Sequence, residues 1–300
     1  MSMQDVRPEP VDRARKADAL LNAMSVDIED WFQVGAFETV IKRADWDSLE
    51  HRVERNTNDV LDIFEESGIK ATFFTLGWVA ERYPKLMQHI VSAGHELASH
   101  GYDHARIFTL TPEQFRSDLE RSRKILEDSS GKAVIGYRAP SFSIDQRTPW
   151  AHEILAEQGY RYSSSVAPIR HDHYGWAGSP RFAWKPVRGS DLVELPVTTV
   201  KVGNRVLAAG GGGFFRLLPY ALYDLAIRKM HKEDGRGAIF YFHPWEIDPE
   251  QPRVGNAPLK SKLRHYTRLS AMRSKLLRAG KDYVWGRVDE LAALEGGLAQ

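Results

Sequence analysis

The chain has 300 residues, with 41 Lys plus Arg against 40 Asp plus Glu and a formal net charge of +1. That balance argues against a protein that coats nucleic acid or an anionic membrane, and 42 % hydrophobic with 27 % charged residues is the composition of a globular domain. The absence of cysteine excludes a disulfide scaffold, a Cys-zinc site, an iron–sulfur cluster and a thiol nucleophile, leaving 11 His and the carboxylates for metal or acid–base chemistry.

No run approaches eighteen apolar residues, so no integral membrane segment is expected. Asp5, Arg7, Glu9, Asp12, Arg13, Arg15, Lys16 and Asp18 interrupt any apolar stretch a secretory signal would need. The reading is a cytoplasmic protein with a mobile extension over residues 1–20.

In chain order, β-rich runs fall at Ala23–Asp27, Ala71–Leu76, Glu96–Ser99, Val134–Arg138, Tyr160–Ser164, Leu192–Val197, Ala238–Phe242 and Asp282–Gly286. Helical patterns lie between them at Leu49–Glu66, Val79–Ser92, Thr111–Asp128, Pro149–Gln158, Phe215–Lys232 and Leu259–Ala279. Thr111, Pro112 and Gln114 form a helix start: N-cap, first-turn proline and capping-box partner. Helix, glycine, strand recurs five times, with glycine expected as the left-handed C-cap. Alternating units without a dinucleotide fingerprint predict an α/β fold, a distorted (β/α) barrel of seven to eight parallel strands with a C-terminal helical appendage. The barrel is expected over residues 21–250 and the appendage over 251–300. Ser165–Asp191 and Lys201–Gly213 read as loops, the latter with a flexible Gly210–Gly213 tract.

Catalytic groups of such barrels sit at the C-terminal ends of strands. There the sequence places Asp27-Ile28-Glu29-Asp30-Trp31-Phe32, then His100-Gly101-Tyr102-Asp103-His104, Arg138-Ala139-Pro140-Ser141-Phe142 and His243-Pro244-Trp245-Glu246. His100 and His104, four apart, share a face if helical and can hold one divalent cation with a carboxylate from another strand. Strand alternation puts Asp27 and Glu29 on one side, favouring Glu29 over Asp30 as that carboxylate. Three neighbouring acids need compensation, which a metal and Arg138 supply. His243, after an apolar run, fits a general acid. A backbone N–H near Ser141 is a candidate oxyanion donor. Trp31, Phe32, Tyr102, Phe142, Trp176 and Trp245 adjoin these clusters, as platforms for sugar faces would.

Together with Ala71-Thr72-Phe73-Phe74, Gly211-Gly212-Gly213-Phe214-Phe215-Arg216 and Arg264-His265-Tyr266, these motifs resemble the polysaccharide deacetylases of the NodB-homology type (carbohydrate esterase family 4). The chain is most similar to the subgroup from exopolysaccharide loci linked to exosortase systems. The resemblance implies a divalent metal, usually Zn2+, and removal of acetyl groups from an N-acetylated glycan. It implies Asp27 as general base, His100 and His104 as metal ligands, Arg138 as the group holding Asp27, and His243 as general acid. Trp31, Tyr102, Ser141, Phe142 and Trp245 are the substrate-binding candidates.

The chain departs from the common pattern twice. Ile28 stands where the family has the ligand aspartate, leaving Glu29 or Asp30. Ser163-Ser164-Ser165-Val166 lacks the aspartate that tunes the acid histidine, for which Asp172 is the candidate. The alternatives are a glycosidase using Glu29 and Glu246, a hydrolase of small cyclic amides, and a non-catalytic glycan-binding module.

Overall fold

The computed structural model describes residues 20–170 and 175–297; the expected N-terminal extension and Asp172 lie outside these. Ten strands are present: β1 (Leu21–Ile28), β2 (Thr72–Thr75), β3 (Glu96–Ser99), β4 (Gly136–Tyr137), β5 (Tyr162–Ser163), β6 (Val193–Glu194), β7 (Thr199–Val202), β8 (Arg205–Ala208), β9 (Ile239–Phe242) and β10 (Val284–Gly286). Eight form one sheet in the order β10-β1-β2-β3-β4-β5-β6, with β9 also paired to β1. Every pairing in this sheet is parallel. The sheet curls into the expected distorted barrel. Its seam is made by Thr198, whose hydroxyl accepts from Ile239 N (2.6 Å), and by Gly210, whose carbonyl accepts from Tyr241 N (2.8 Å).

The strands are short because only their central residues are covered on both faces, as parallel strands require. β1 is buried from Asn22 to Ile28 and pairs with three neighbours, so it is the axis of the fold. Residues 251–300 contribute helices packed on the barrel and also β10, which pairs with β1 through Leu21↔Val284 to Ala23↔Gly286.

Thr111 caps the helix Pro112–Ser130 as the sequence indicates, accepting from Gln114 N while Gln114 accepts from Thr111 N. Two helices expected to be continuous are broken at prolines: Gly77–Arg82 precedes Pro84–Ser92, and Gly212–Leu217 precedes Tyr220–Asp234 after Pro219. Proline lacks the N–H and clashes with the preceding turn. Of the five glycines expected as C-caps, Gly68, Gly94, Gly159 and Gly235 have positive φ. Gly280 instead lies inside the helix Met272–Asp282, where a Cβ would come within 2.7 Å of Ser67 Cβ. It is the close contact with the helix Val53–Ser67.

Lys201–Gly213 is not a loop. β7 and β8 form an antiparallel hairpin with Val202 opposite Arg205. The turn is Gly203-Asn204, with Gly203 at φ +58, and Gly-Asn between β-branched runs is the local signal for it.

Candidate active site

β1 delivers its acids by alternation. Ser25 and Asp27 point to one side, where the guanidinium of Arg138 meets both: Nη1 lies 2.7 Å from Asp27 Oδ1 and 2.8 Å from Ser25 Oγ. Arg138 follows β4, is fully buried, and lies 4.0 Å from the Phe74 ring centre. Its Nε and Nη2 donate to the Ser164 carbonyl and hydroxyl. Each guanidinium nitrogen therefore has a partner; breaking such a buried pair costs about 3–5 kcal/mol. Ser164 thus serves Arg138 and not His243.

Glu29 is 2 % exposed and sits between two imidazoles, with Oε1 3.1 Å from His243 Nε2 and Oε2 3.1 Å from His104 Nε2. Burial pushes its carboxyl up to about 7. Donor atoms of Glu29, His100 and His104 all lie within 4.8 Å of one another. His100 ends β3 and donates from Nδ1 to the Arg138 carbonyl at 2.8 Å, which leaves the Nε2 lone pair free for a ligand. Burial pushes His100 down to about 4 and His104 well below its ordinary value, so both are neutral. Glu29 Oε2, although buried, makes no hydrogen bond. Two neutral imidazoles and an orphaned carboxylate oxygen converging on one point fit a divalent cation.

The histidines do not share a helical turn as expected. Residues 100–106 are irregular, turned by Gly101 at φ +74 and His104 at φ +62. The Gly101 and Tyr102 carbonyls accept from Gly77 N and Trp78 N, so this loop starts the helix Gly77–Arg82 while folding His104 back over His100.

Asp30 does not join the cluster. Its carboxylate accepts from Arg52 N at 2.7 Å, Val53 N at 3.0 Å and Trp31 N at 2.8 Å, satisfying orphan amides at the start of the helix Val53–Ser67. Burial still holds it up, at about 6.

His243 Nδ1 lies 2.9 Å from Glu246 Oε1, and Glu246 Oε2 lies 2.6 Å from Arg216 Nε. Burial opposes the imidazolium, but Glu29 and then Glu246 outweigh it and push His243 up to about 9. Burial also opposes the Glu246 charge, but Arg216 and His243 hold that carboxyl down to about 2. Sequence reasoning missed both the partner and Arg216, although His243 and Glu246 are only three residues apart in the turn Pro244–Ile247. Glu246 is 1 % exposed and sealed by these two cations, which leaves it unable to serve as a glycosidase acid.

Gly210–Gly213 is not a flexible tract. A Cβ at Gly210 would meet the Ile239 carbonyl at 2.4 Å, and one at Gly212 would meet Glu246 Oε1 at 2.5 Å. The glycines let Gly212–Leu217 approach closely enough for Arg216 to reach Glu246.

The cluster opens into a groove of about 470 Å3 lined by Glu29, His104, Ser141, Phe142, His243 and Trp245, among others. Trp245 stacks on His243 at 5.1 Å and on His265 at 3.9 Å between ring centres. Ser141, at φ +55, faces the groove. Trp31 and Tyr102 do not line it. Trp31 donates to the Glu50 carbonyl and packs edge-on against Phe32, and the Tyr102 hydroxyl donates to Glu81 beneath the Arg121 guanidinium, 3.3 Å above its ring. Tyr241 and Arg106 line the groove without having been singled out in the sequence, and Arg264, quoted there only as part of the Arg264-His265-Tyr266 motif, lines it too. Trp176 packs instead against Trp184.

Residues 45–163 match the family described as Polysaccharide deacetylase, and residues 164–293 match a Domain of unknown function (DUF3473). The first match holds His100, His104 and Arg138, the second His243, Glu246 and Arg216. A peptidoglycan deacetylase from Helicobacter pylori is 34 % identical over 153 residues, which are 46 % of this chain and 50 % of that protein. The chain spans half or less of the length of the first curated relatives it matches. A structure from Mycobacterium smegmatis assigned to the polysaccharide deacetylases aligns with TM-score 0.60 and 20 % identity over 94 % of this chain and 92 % of its own. PuuE allantoinase aligns with TM-score 0.59 and 14 % identity over 96 % and 97 %. At these identities both structures speak for the fold alone. The polysaccharide deacetylase match thus covers residues 45–163, the part of the barrel that gathers His100, His104 and Arg138 at one end of its sheet.

Proposed function

We propose that the chain removes N-acetyl groups from N-acetylhexosamine units of a glycan, a hydrolysis of a linear amide. The observation that carries this reading is the convergence of Glu29, His100 and His104 between the Asp27–Arg138 and His243–Glu246 pairs. One carboxylate is fixed by a guanidinium, one imidazole is fixed by a carboxylate, and a cation site lies between them.

Glu29, His100 and His104 would hold the divalent cation, Zn2+ by its donor set, which when bound supplies Lewis acidity to polarise the acetyl carbonyl and acidify water. Asp27, held by Arg138, takes the proton of the attacking water. The Ser141 backbone N–H, beside the groove, donates to the developing oxyanion. His243 then protonates the departing amine nitrogen from Nε2, because an amine leaves poorly as an anion. Phe142 and Trp245 offer faces for sugar rings on the groove wall. The resemblance supports an exopolysaccharide or its precursor as substrate.

The barrel shape is shared with an allantoinase, so fold alone does not separate glycan from cyclic-amide substrates. The open groove favours the glycan. Acetate and free amine released from N-acetylglucosamine oligomers of increasing length test this. Turnover should rise with length, because added subsites contribute to transition-state binding, and Asp27→Asn should lower it about 10²–10⁴-fold. A monosaccharide or a cyclic amide as best substrate overturns the reading.

A further inference from the structure

Beside the catalytic groove lies a second groove of about 300 Å3 lined almost wholly by apolar side chains of β7, β8 and the helices Gly212–Leu217 and Tyr220–Asp234. Ten large hydrophobics are exposed among the described residues, and six of them line this groove: Val202, Leu207, Phe214, Leu218, Leu222 and Leu225. Leu225 is 63 % exposed. Scattered exposed leucines need no explanation, but six around one groove mark an interaction surface.

The charge around this face says what it meets. Residues 251–281 hold nine Lys or Arg and no Asp or Glu. This segment packs directly on the groove: Lys275 Nζ donates to the Phe215, Arg216 and Leu218 carbonyls, and Arg216 donates to the Arg264, His265 and Thr267 carbonyls. The helix Leu259–Tyr266, whose Lys260 and Arg264 line the catalytic groove, leaves Leu259 and Leu263 72 % and 59 % exposed. At the hairpin tip Lys201 and Arg205 are exposed and have no acidic partner among the described residues. The acids of the helix Tyr220–Asp234 are neutralised, Asp224 by Arg228, Glu233 by Lys229 and Asp234 by Arg181. Arg273 and Arg278 of that segment pair with Glu66 and Asp282 and Lys275 is buried, so the basic excess beside the apolar face rests on the remaining Lys and Arg of the segment and on Lys201 and Arg205 at the hairpin tip.

We propose that this face docks the protein on a membrane surface rich in anionic lipid, the apolar side chains entering the interfacial layer and the surrounding cations meeting the headgroups. Apolar area and attraction to anionic lipid together set the strength of such binding. The hairpin lines the apolar groove and backs the catalytic one, since Val206 and Ala208 pack on the cluster holding Phe142, and Phe142 lines the catalytic groove. Docking therefore brings the catalytic groove beside the bilayer, where a lipid-linked glycan could reach it. That last step rests on the deacetylase reading; docking itself does not.

The test is co-sedimentation of the full chain with phosphatidylcholine vesicles, with and without phosphatidylglycerol. The chain should pellet with the anionic vesicles, release in high salt, and stay soluble with the neutral ones. Leu222→Asp/Leu225→Asp should weaken binding at least about tenfold. Lys201→Glu/Arg205→Glu, at an exposed turn that folding does not depend on, should weaken it also and abolish its salt dependence in part. Wild-type protein that stays in the supernatant with anionic vesicles overturns the proposal, as does binding that both variants retain. A chain that ignores vesicles but changes from dimer to monomer on Leu222→Asp/Leu225→Asp shows a second copy to be the occupant and overturns it too. None of these readouts involves turnover, so failure here leaves the catalytic reading to its own assay.

Discussion

Glu246 and His243 are joined at 2.9 Å through Oε1 and Nδ1, across one tight turn after β9. A carboxylate on Nδ1 fixes the tautomer and the ring plane, leaving Nε2 to carry the mobile proton. Arg216 closes the chain behind Glu246, so His243 is oriented by residues of the C-terminal half of the protein.

Glu246→Gln should lower kcat on an N-acetylated oligomer about 10–100-fold with KM little changed, the range expected for outer partners of an active histidine. The loss should be smaller on an activated ester, whose leaving group needs little protonation. Equal losses on both substrates would mark Glu246 as structural.

Gly212→Ala and Gly213→Ala form a matched pair one residue apart. A Cβ at Gly212 would press on Glu246 Oε1 at 2.5 Å and Phe242 Cβ at 2.7 Å, whereas one at Gly213 meets nothing within 4 Å. Gly212→Ala should cost about 1–3 kcal/mol of stability and reduce turnover; Gly213→Ala should leave both near wild type. Thermal melts and steady-state kinetics of the two decide it.

Metal content separates the two neighbouring acids of the strand end. His100→Ala, His104→Ala and Glu29→Gln should each lower bound divalent metal in elemental analysis of the purified protein. Asp30→Ala should keep its metal and lose about 0.5–2 kcal/mol in denaturant unfolding, because it removes the acceptor of the amides that start the helix Val53–Ser67. Metal lost on Asp30→Ala with full occupancy in Glu29→Gln would reverse the assignment.

His95 gives a pH signature away from the site. Burial, with lesser contributions from Lys70 and Arg287, pushes it from 6.5 down to about 4, and its Nδ1 accepts from Ala71 N at 3.1 Å. The unfolded chain therefore binds more protons between those values. Stability supplied by neutral His95 is present above about pH 6.5 and is lost as pH falls toward 4. The melting temperature should fall across that window, and His95→Gln should show a shallower fall. An identical slope in both proteins would remove His95 from the acid response.

The eight expected β-rich runs, several of them rich in Val, Ile, Phe and Tyr, correspond to the eight strands of the sheet, and the charged groups after β1, β3, β4 and β9 come together at one end of it. Both follow from local pattern: strand periodicity is written residue by residue, and a parallel sheet puts all its C-terminal ends on one side. Strand alternation pointed to Glu29 on the premise of a strand running through residue 29, but β1 ends at Ile28 and Glu29 is placed by the turn beyond it, where its N–H donates to the Asp27 carbonyl at 3.1 Å. Tertiary structure decided the rest. Whether Asp30 is a ligand or a cap depends on amides 22 residues away, and whether Trp31 or Tyr102 meets substrate depends on which helix claims each ring. Arg216 reaches Glu246, the local partner of His243, only because the glycines before it let the helix Gly212–Leu217 approach. The basic and apolar face exists only because residues 251–281 fold against residues 212–234. A side chain's chemistry is local, but what it faces is set by segments the sequence places far apart.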